Sequence, residues 1–319
     1  MVAVASLAEV PVEVSVKVER GSEIGVARFF GPSMLISERN STRRCFMRNG
    51  PEKRARGAFN SSRTRVEPVF DQLWEQGRDW LPTLLELPKD GCAGARVKPG
   101  DLTIVDGRWE SKKFGMNEQP LGPPVSLLQW LIRNVGRTKR EKLLKDVDFG
   151  RKELASDKPE IAQKAVEDAL RLLRENPVPR AWYIFEGPTH PDVYLVAKDA
   201  LVVIEGKRTE ATATEKTEWL DGRHQIWRHI DAAWEIRGPR DVYGFFIVEA
   251  DRDSKDGAVP EHWRREAEKC LKQDALRTNF PYRSAHEIAA ISRCFLGVTT
   301  WRKVCDRFGI DYSKLPETA

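Results

Sequence analysis

The stretch DVYLVAKDALVVIE, residues 192–205, constrains the fold more than any other part of the chain. It holds two runs of β-branched and aromatic residues, separated by a turn of sequence AKDA. Such runs, bounded by turn residues, predict the two strands of an antiparallel hairpin. With Lys198 and Asp199 at the tip, counting outward from the turn places Asp192 directly opposite Glu205. A loop of two or four residues gives this register, and a loop of three would break it.

Two acids that face each other across a hairpin need a partner. Opposite side chains have Cβ atoms about 5 Å apart, so Asp192 and Glu205 repel unless a proton or a cation lies between them. Carboxylate oxygens suit Mg²⁺, which keeps several waters and accepts substrate phosphate. Lys207 projects from the same face as Glu205 and offsets the negative pair; burial would lower its pKa and let it help deprotonate a water molecule. The alternative is that all three are solvated charges at strand ends.

The surrounding patterns predict an α/β layout. Helices are predicted at residues 156–176, 222–238, 260–275 and 284–308, and further strands at 181–187 and 241–250. A strand–helix–strand crossover requires that part of the sheet is parallel. The sequence therefore predicts an α/β domain with a mixed sheet over residues 156–319.

The first part of the chain has a different pattern. Alternating residues predict a strand at 10–18, a helix interrupted by glycine and proline is predicted at 67–86, and DLTIVD at 101–106 predicts another strand. Residues 1–125 are accordingly expected to form a separate N-terminal α+β domain. Residues 126–155 are expected to form a helical connector.

The order of the motifs resembles that of the PD-(D/E)xK nuclease superfamily. The resemblance is carried by Pro191-Asp192, a turn, an apolar strand, Glu205-Gly206-Lys207 and a following helix with polar residues. The element order between residue 156 and about residue 250 is also similar to the core of that superfamily. The resemblance implies a restriction-endonuclease-like fold, in which a mixed sheet is flanked by helices.

The same resemblance implies Mg²⁺-dependent hydrolysis of phosphodiester bonds in nucleic acid, with an endonuclease as the expected mode. Asp192, Glu205 and the carbonyl of Gly206 would hold the Mg²⁺ ion, for which Mn²⁺ can substitute. Lys207 would orient or activate the attacking water and stabilise charge on the phosphate. The alternatives are a non-catalytic nucleic-acid-binding protein that retains the nuclease fold, and a structural adaptor whose acids bind only solvent.

Some branches of the superfamily place a glutamine and a tyrosine four residues apart on the following helix. Gln225 and His229 have that spacing, with histidine in the tyrosine's place. Gln225 is therefore a candidate catalytic residue, and the alternative is that both are polar residues beside an apolar stripe. Among other polar candidates, Glu167 is expected to face solvent, Glu186 has no assigned place, and His190 either contacts phosphate or caps its strand.

A basic segment at residues 39–65 predicts contact with nucleic acid. Phe46 and Phe59 are interleaved with its cations, so the segment could attract phosphate chains and stack bases. The predicted nucleic-acid-binding residues are Arg43, Arg44, Arg48, Arg54 and Arg56. A basic surface loop without a specific partner is the alternative. DNA is favoured over RNA as the partner, and a homodimer that cuts both strands of a duplex is an open alternative.

Composition argues against membrane and secreted classes. Apolar residues make up 40% of the chain and charged residues 32%, and no apolar run approaches the roughly 20 residues of a spanning helix. The N-terminal residues lack the basic head and long apolar stretch of a secretory signal. The five cysteines are scattered without a CxxC spacing, which is typical of free thiols in a reducing cytoplasm. The expected location is the cytoplasm, with no membrane partner.

Overall fold

A computed structural model of the chain describes residues 60–88, 97–175, 177–251, 254 and 256–318. The described residues form one compact unit around a five-stranded sheet in which the strands follow one another in chain order. The strands are β1 (Ile104–Trp109), β2 (Val193–Ala197), β3 (Ala200–Gly206), β4 (Asp241–Val248) and β5 (Phe295–Thr300). The pairs β1–β2 and β2–β3 are antiparallel, and the pairs β3–β4 and β4–β5 are parallel. The predicted α/β class with a mixed sheet is confirmed.

Helices surround this sheet. They are α1 (Glu67–Glu75), α2 (Leu81–Leu85), α3 (Val125–Thr138), α4 (Arg140–Leu144), α5 (Phe149–Glu153), α6 (Pro159–Glu175), α7 (Gln225–Ile236), α8 (Glu261–Cys270), α9 (Gln273–Asn279), α10 (Ala285–Ser292) and α11 (Trp301–Phe308). A π-helical turn, Ser62–Val66, runs directly into α1. A short 3₁₀ turn, Tyr312–Lys314, follows α11.

The alternation of side chains along the strands gives the sheet two buried faces. Val193 and Leu195 of β2 belong to a core that also contains side chains of α1, α2 and α11. Tyr194, between them, belongs to a second core with side chains of α7 and α8. Since successive side chains of a strand point to opposite faces, the sheet is the middle layer between two sets of helices. A third apolar cluster holds α3 and α6 together.

The hairpin forms in the predicted register. Val196 pairs with Leu201, and Val193 pairs with Ile204. The next pair outward is therefore Asp192 and Glu205. The confirmed register follows from a tip of two residues, Lys198 and Asp199, between the strand ends.

Two of the predicted elements are wrong. Residues 181–187 form no strand and contain one turn, in which Ile184 N–H donates to the Ala181 carbonyl. Their apolar side chains, Tyr183 and Phe185, pack into the cluster of α3 and α6 instead of forming a sheet ladder. The predicted helix at 284–308 is divided, because residues 295–300 form β5, the parallel edge strand beside β4.

The structure also differs from the predicted division of the chain at residue 125. Strand β1 pairs along its length with β2, and α1 and α2 contribute to the same core as the hairpin. The described residues before 126 are therefore part of the sheet unit. Helices α3, α4 and α5 lie in the range predicted as a connector, and α3 packs on α6. The strand predicted at 10–18 lies outside the described residues.

No helix in the described part of the chain combines the length and the apolar character that crossing a membrane requires.

Candidate active site

The predicted site residues meet at one end of the β2–β3 hairpin. Asp192 immediately precedes β2, Glu205 and Gly206 end β3, and Lys207 follows. Because β3, β4 and β5 are parallel, this is also the edge at which the carboxyl ends of three strands meet. In open α/β sheets, ligands bind in the crevice outside these carboxyl ends.

Asp192 lies partly buried against the end of β3. The Gly206 N–H donates to its Oδ2 at 2.7 Å, and the Ser62 hydroxyl donates to its Oδ1 at 3.4 Å. Burial, and next the negative charge of Glu205, raise the pKa of Asp192 well above its ordinary value. Without a cation, this carboxyl group therefore tends to keep its proton.

Glu205 is almost fully buried, with 3% of its surface exposed, and yet it stays ionised. Its Oε1 accepts from Lys207 Nζ at 2.8 Å and from Gln225 Nε2 at 2.7 Å. Its Oε2 accepts from His229 Nε2 at 2.8 Å. Burial acting alone would raise the pKa of Glu205, but the hydrogen bond from His229 and the charge of Lys207 lower it below the ordinary value.

Lys207 is an ammonium ion in this site. Burial is the largest influence and would lower its pKa, but the adjacent Glu205 more than offsets burial, and the pKa of Lys207 is raised. The expectation that burial would lower the pKa of Lys207 is therefore wrong for the chain without a metal ion. Its Nζ also donates to Gln225 Oε1 at 3.1 Å, so Gln225 bridges Lys207 and Glu205.

Helix α7 directs two polar side chains at Glu205. Gln225 and His229 are four residues apart, so they share one face of the helix. Burial lowers the pKa of His229 and keeps its ring neutral. Its Nε2–H then donates to Glu205, and its Nδ1 accepts from the Thr189 hydroxyl at 2.8 Å. The structure therefore brings both side chains to the Glu205 carboxylate.

Glycine is required at position 206 because other side chains pack close to its backbone. A Cβ atom there would lie 2.8 Å from the Trp301 ring and 2.9 Å from a methyl group of Val66. The N–H and C=O of a strand residue point to the same edge. Since the Gly206 N–H points at Asp192, its carbonyl lies on the Asp192 side too.

Sequence reasoning missed three residues around the site. Ser62 reaches Asp192 from the π-helical turn, and Thr189 holds His229. Glu118 is a further acid whose pKa is raised by burial and then by Glu110 and Glu205. These residues lie in loops or turns, so no periodic pattern points to them.

The remaining candidates lie elsewhere. Glu186 is buried beside Arg223, 3.4 Å away, in a separate ionic network. His190 is exposed, and Glu167 is exposed on α6 as expected. The predicted nucleic-acid-binding residues Arg43, Arg44, Arg48, Arg54 and Arg56 lie outside the described residues.

The oxygen atoms of this site suit a hard divalent cation as ligands. A carboxylate oxygen can accept two hydrogen bonds. Among the described residues, Asp192 Oδ1 has only the long contact with Ser62, and Glu205 Oε2 accepts only from His229. Each acid therefore has one oxygen atom that can still bind a metal ion. The Gly206 carbonyl adds a third oxygen of the type that Mg²⁺ prefers.

Comparisons of the chain with protein-family models, with curated proteins and with solved structures found no match.

Proposed function

We propose that the chain is a Mg²⁺-dependent nuclease of the PD-(D/E)xK type, with a restriction-endonuclease-like fold. One observation carries the proposal: Asp192 and Glu205 face each other at the end of the hairpin, with Lys207 2.8 Å from Glu205. The mixed sheet and the contacts of Gln225 support it. An endonuclease is the favoured mode.

Asp192, Glu205 and the Gly206 carbonyl would hold Mg²⁺ or, in its place, Mn²⁺. The bound ion would polarise the scissile phosphate and lower the pKa of water. The Lys207 ammonium adds a fixed positive charge beside the phosphate, where it stabilises the charge that develops during hydrolysis. Gln225 and His229 hold the Glu205 carboxylate in one orientation.

The basic segment supports nucleic acid as the substrate. Arg56 precedes Ser62, which contacts Asp192, by six positions in the sequence. Cations this near in sequence to the site favour contact with the backbone of a nucleic acid whose phosphate lies at Asp192. DNA remains favoured over RNA.

A nucleic-acid-binding protein without cleavage activity is the second candidate. The observation that favours it is the engagement of Glu205 by three donors, which gives this acid a structural role even without a metal. Such a protein would bind nucleic acid equally well with and without Mg²⁺.

A cleavage panel tests the proposal. Duplex, single-stranded and branched DNA, together with RNA, are incubated with pure protein at several Mg²⁺ and Mn²⁺ concentrations, and also in a chelator. We expect cleavage of at least one substrate that needs the metal and that is lost in Asp192→Ala and Lys207→Ala. Glu167→Gln, an exposed change on α6, is the matched control and should retain activity.

Cleavage that survives in both site variants would refute the site. Metal-independent binding without cleavage of any substrate would favour the second candidate.

A further inference from the structure

A second cluster of possible ligand atoms lies at the start of α7, separate from Glu205. It consists of His224, Glu266 and Cys270, which are all buried. One nitrogen, one oxygen and one sulfur atom from these residues all lie within 4.8 Å of one another. His224 Nε2 is 3.0 Å from Glu266 Oε1 and 3.4 Å from Cys270 Sγ.

Local structure explains why the three side chains converge. Glu266 and Cys270 are four residues apart on α8, so they project from one face of that helix. Two ligands at this spacing on one helix form half of many zinc sites. His224 immediately precedes α7 and supplies the third atom from a different element.

We propose that His224, Glu266 and Cys270 bind one Zn²⁺ ion. Imidazole nitrogen, thiolate sulfur and carboxylate oxygen are the three ligand types that zinc takes in proteins. Zinc–ligand bonds of about 2.0–2.3 Å in a tetrahedron place ligand atoms about 3.3–3.7 Å apart. The observed separations of 3.0 and 3.4 Å need only a small outward movement to reach that range.

Charge balance favours the same ion. A thiolate from Cys270 and a carboxylate from Glu266 together neutralise Zn²⁺, so the complex adds no net charge to the core. A neutral group is far cheaper to bury than an isolated ion. A water molecule would complete the fourth position.

Zinc binding would cost one local hydrogen bond. His224 Nδ1 now accepts from the Ile226 N–H at 3.3 Å, as the N-cap of α7. A zinc ion on Nε2 requires the ring proton on Nδ1, so this hydrogen bond is lost. At 3.3 Å it is longer than typical hydrogen bonds, and the loss is small beside three metal–ligand bonds.

The site would join the start of α7 to α8. Helix α7 carries Gln225 and His229, so zinc would stabilise the helix that orients Glu205. The zinc proposal does not rest on nuclease activity, because its ligands are separate from Asp192 and Glu205.

Cobalt substitution tests the proposal on the full chain under reducing, metal-free conditions. We expect one equivalent of Co²⁺ to give a thiolate-to-metal charge-transfer band and the strong visible bands of a tetrahedral site. One equivalent of Zn²⁺ should abolish both. Zinc should also raise the melting temperature, measured by circular dichroism.

The variants separate this site from other thiols. Cys270→Ser should lose the charge-transfer band, while Cys294→Ser and Cys305→Ser, which change two other buried cysteines, should keep it. His224→Asn preserves a good helix cap but removes the ligand, so it should weaken Zn²⁺ binding about 100-fold or more. Asp192→Asn should bind zinc normally.

The absence of a charge-transfer band in the wild type, or a band that persists in Cys270→Ser, would overturn the proposal. Unchanged zinc affinity in His224→Asn would do so as well.

Discussion

Two clusters of buried charge contact helix α7, and they are balanced differently. In the first, which we call the ionic network, Arg223 lies 2.7 Å from Asp231 and 3.4 Å from Glu186, while Arg283 Nε donates to Asp231 at 2.8 Å. In the second, the candidate active site, Asp192 lies opposite Glu205 and Lys207 is the cation beside them. Each carboxylate of the network faces a guanidinium, whereas the acids of the site face each other.

The pKa directions show the consequence. Burial would lower the pKa of Arg223, but Glu186 and Asp231 outweigh it and the pKa is raised, so the network stabilises its own charges. At the site, burial and Glu205 raise the pKa of Asp192, so the folded chain stabilises the protonated acid there. Two buried acids that share a single ammonium ion are suited to a further cation from outside. Both carboxylates of the network already have a cationic partner.

The largest effect should come from breaking the network. Asp231→Asn leaves Arg223 and Arg283 without their shared carboxylate, and removing one partner of a buried ion pair costs about 3–5 kcal/mol. The free energy of unfolding, measured in urea, should fall by this amount. Asp168→Asn, which breaks an exposed ion pair with Arg171 on α6, should cost less than about 1 kcal/mol. Equal losses of unfolding free energy in the two variants would show that the buried network contributes no more than the exposed ion pair, and would contradict the prediction.

The next effect concerns catalysis. Lys207→Met keeps the length of the side chain but removes the ammonium beside the phosphate. Loss of one such electrostatic group lowers the rate by about 10²–10³-fold, and we expect that fall in kcat/KM on the best substrate of the cleavage panel. Lys164→Met, an exposed change on α6, is the control. A rate within twofold of wild type in Lys207→Met would remove this residue from the mechanism.

Thr189→Val should produce a smaller change that depends on metal concentration. The hydroxyl of Thr189 holds His229, which in turn holds Glu205, and loss of such supporting contacts weakens metal affinity about 10–100-fold. The Mg²⁺ concentration for half-maximal cleavage should rise, and saturating Mg²⁺ should restore most of the rate. Thr189→Ser retains the hydroxyl and should behave as wild type. An unchanged Mg²⁺ dependence in Thr189→Val would show that the hydroxyl of Thr189 does not support metal binding.

The smallest effect is a gain in stability. Because the folded-state pKa of Asp192 is raised, its ionisation costs stability as pH rises from the unfolded value of about 3.9 through the folded one. Asp192→Asn removes this cost, so without divalent metal it should be more stable at neutral pH by about 1–2 kcal/mol. The advantage over wild type should shrink as the pH falls towards 4. Urea unfolding at several pH values in a chelator measures it, and a variant less stable than wild type would contradict the account.

The sequence predicted the hairpin and its acids because both depend on local signals. A turn of fixed length sets the register, and the register decides which side chains face each other. The strand predicted at 181–187 is wrong because an apolar run indicates burial and does not by itself indicate a strand. Tyr183 and Phe185 are buried against helices. Strand β5 was missed for a related reason, since a short apolar run does not distinguish a buried strand from a helix.

The supporting residues of the site could not be predicted from one sequence. Thr189 and Glu118 lie in loops, and their positions depend on a bridge between Leu121 and Thr189 that joins distant parts of the chain. The pKa of Lys207 was predicted in the wrong direction because burial favours the neutral amine, while the 2.8 Å contact with Glu205 favours the ammonium. Only the folded distances decide which influence is larger.

Calorimetric titration of Mg²⁺ into the wild type and into Asp192→Asn measures whether the two facing acids hold the metal. We expect saturable binding at one site in the wild type and none in the variant at the same concentrations. Identical binding isotherms for the two proteins would show that the facing acids do not hold the metal, and would contradict the account.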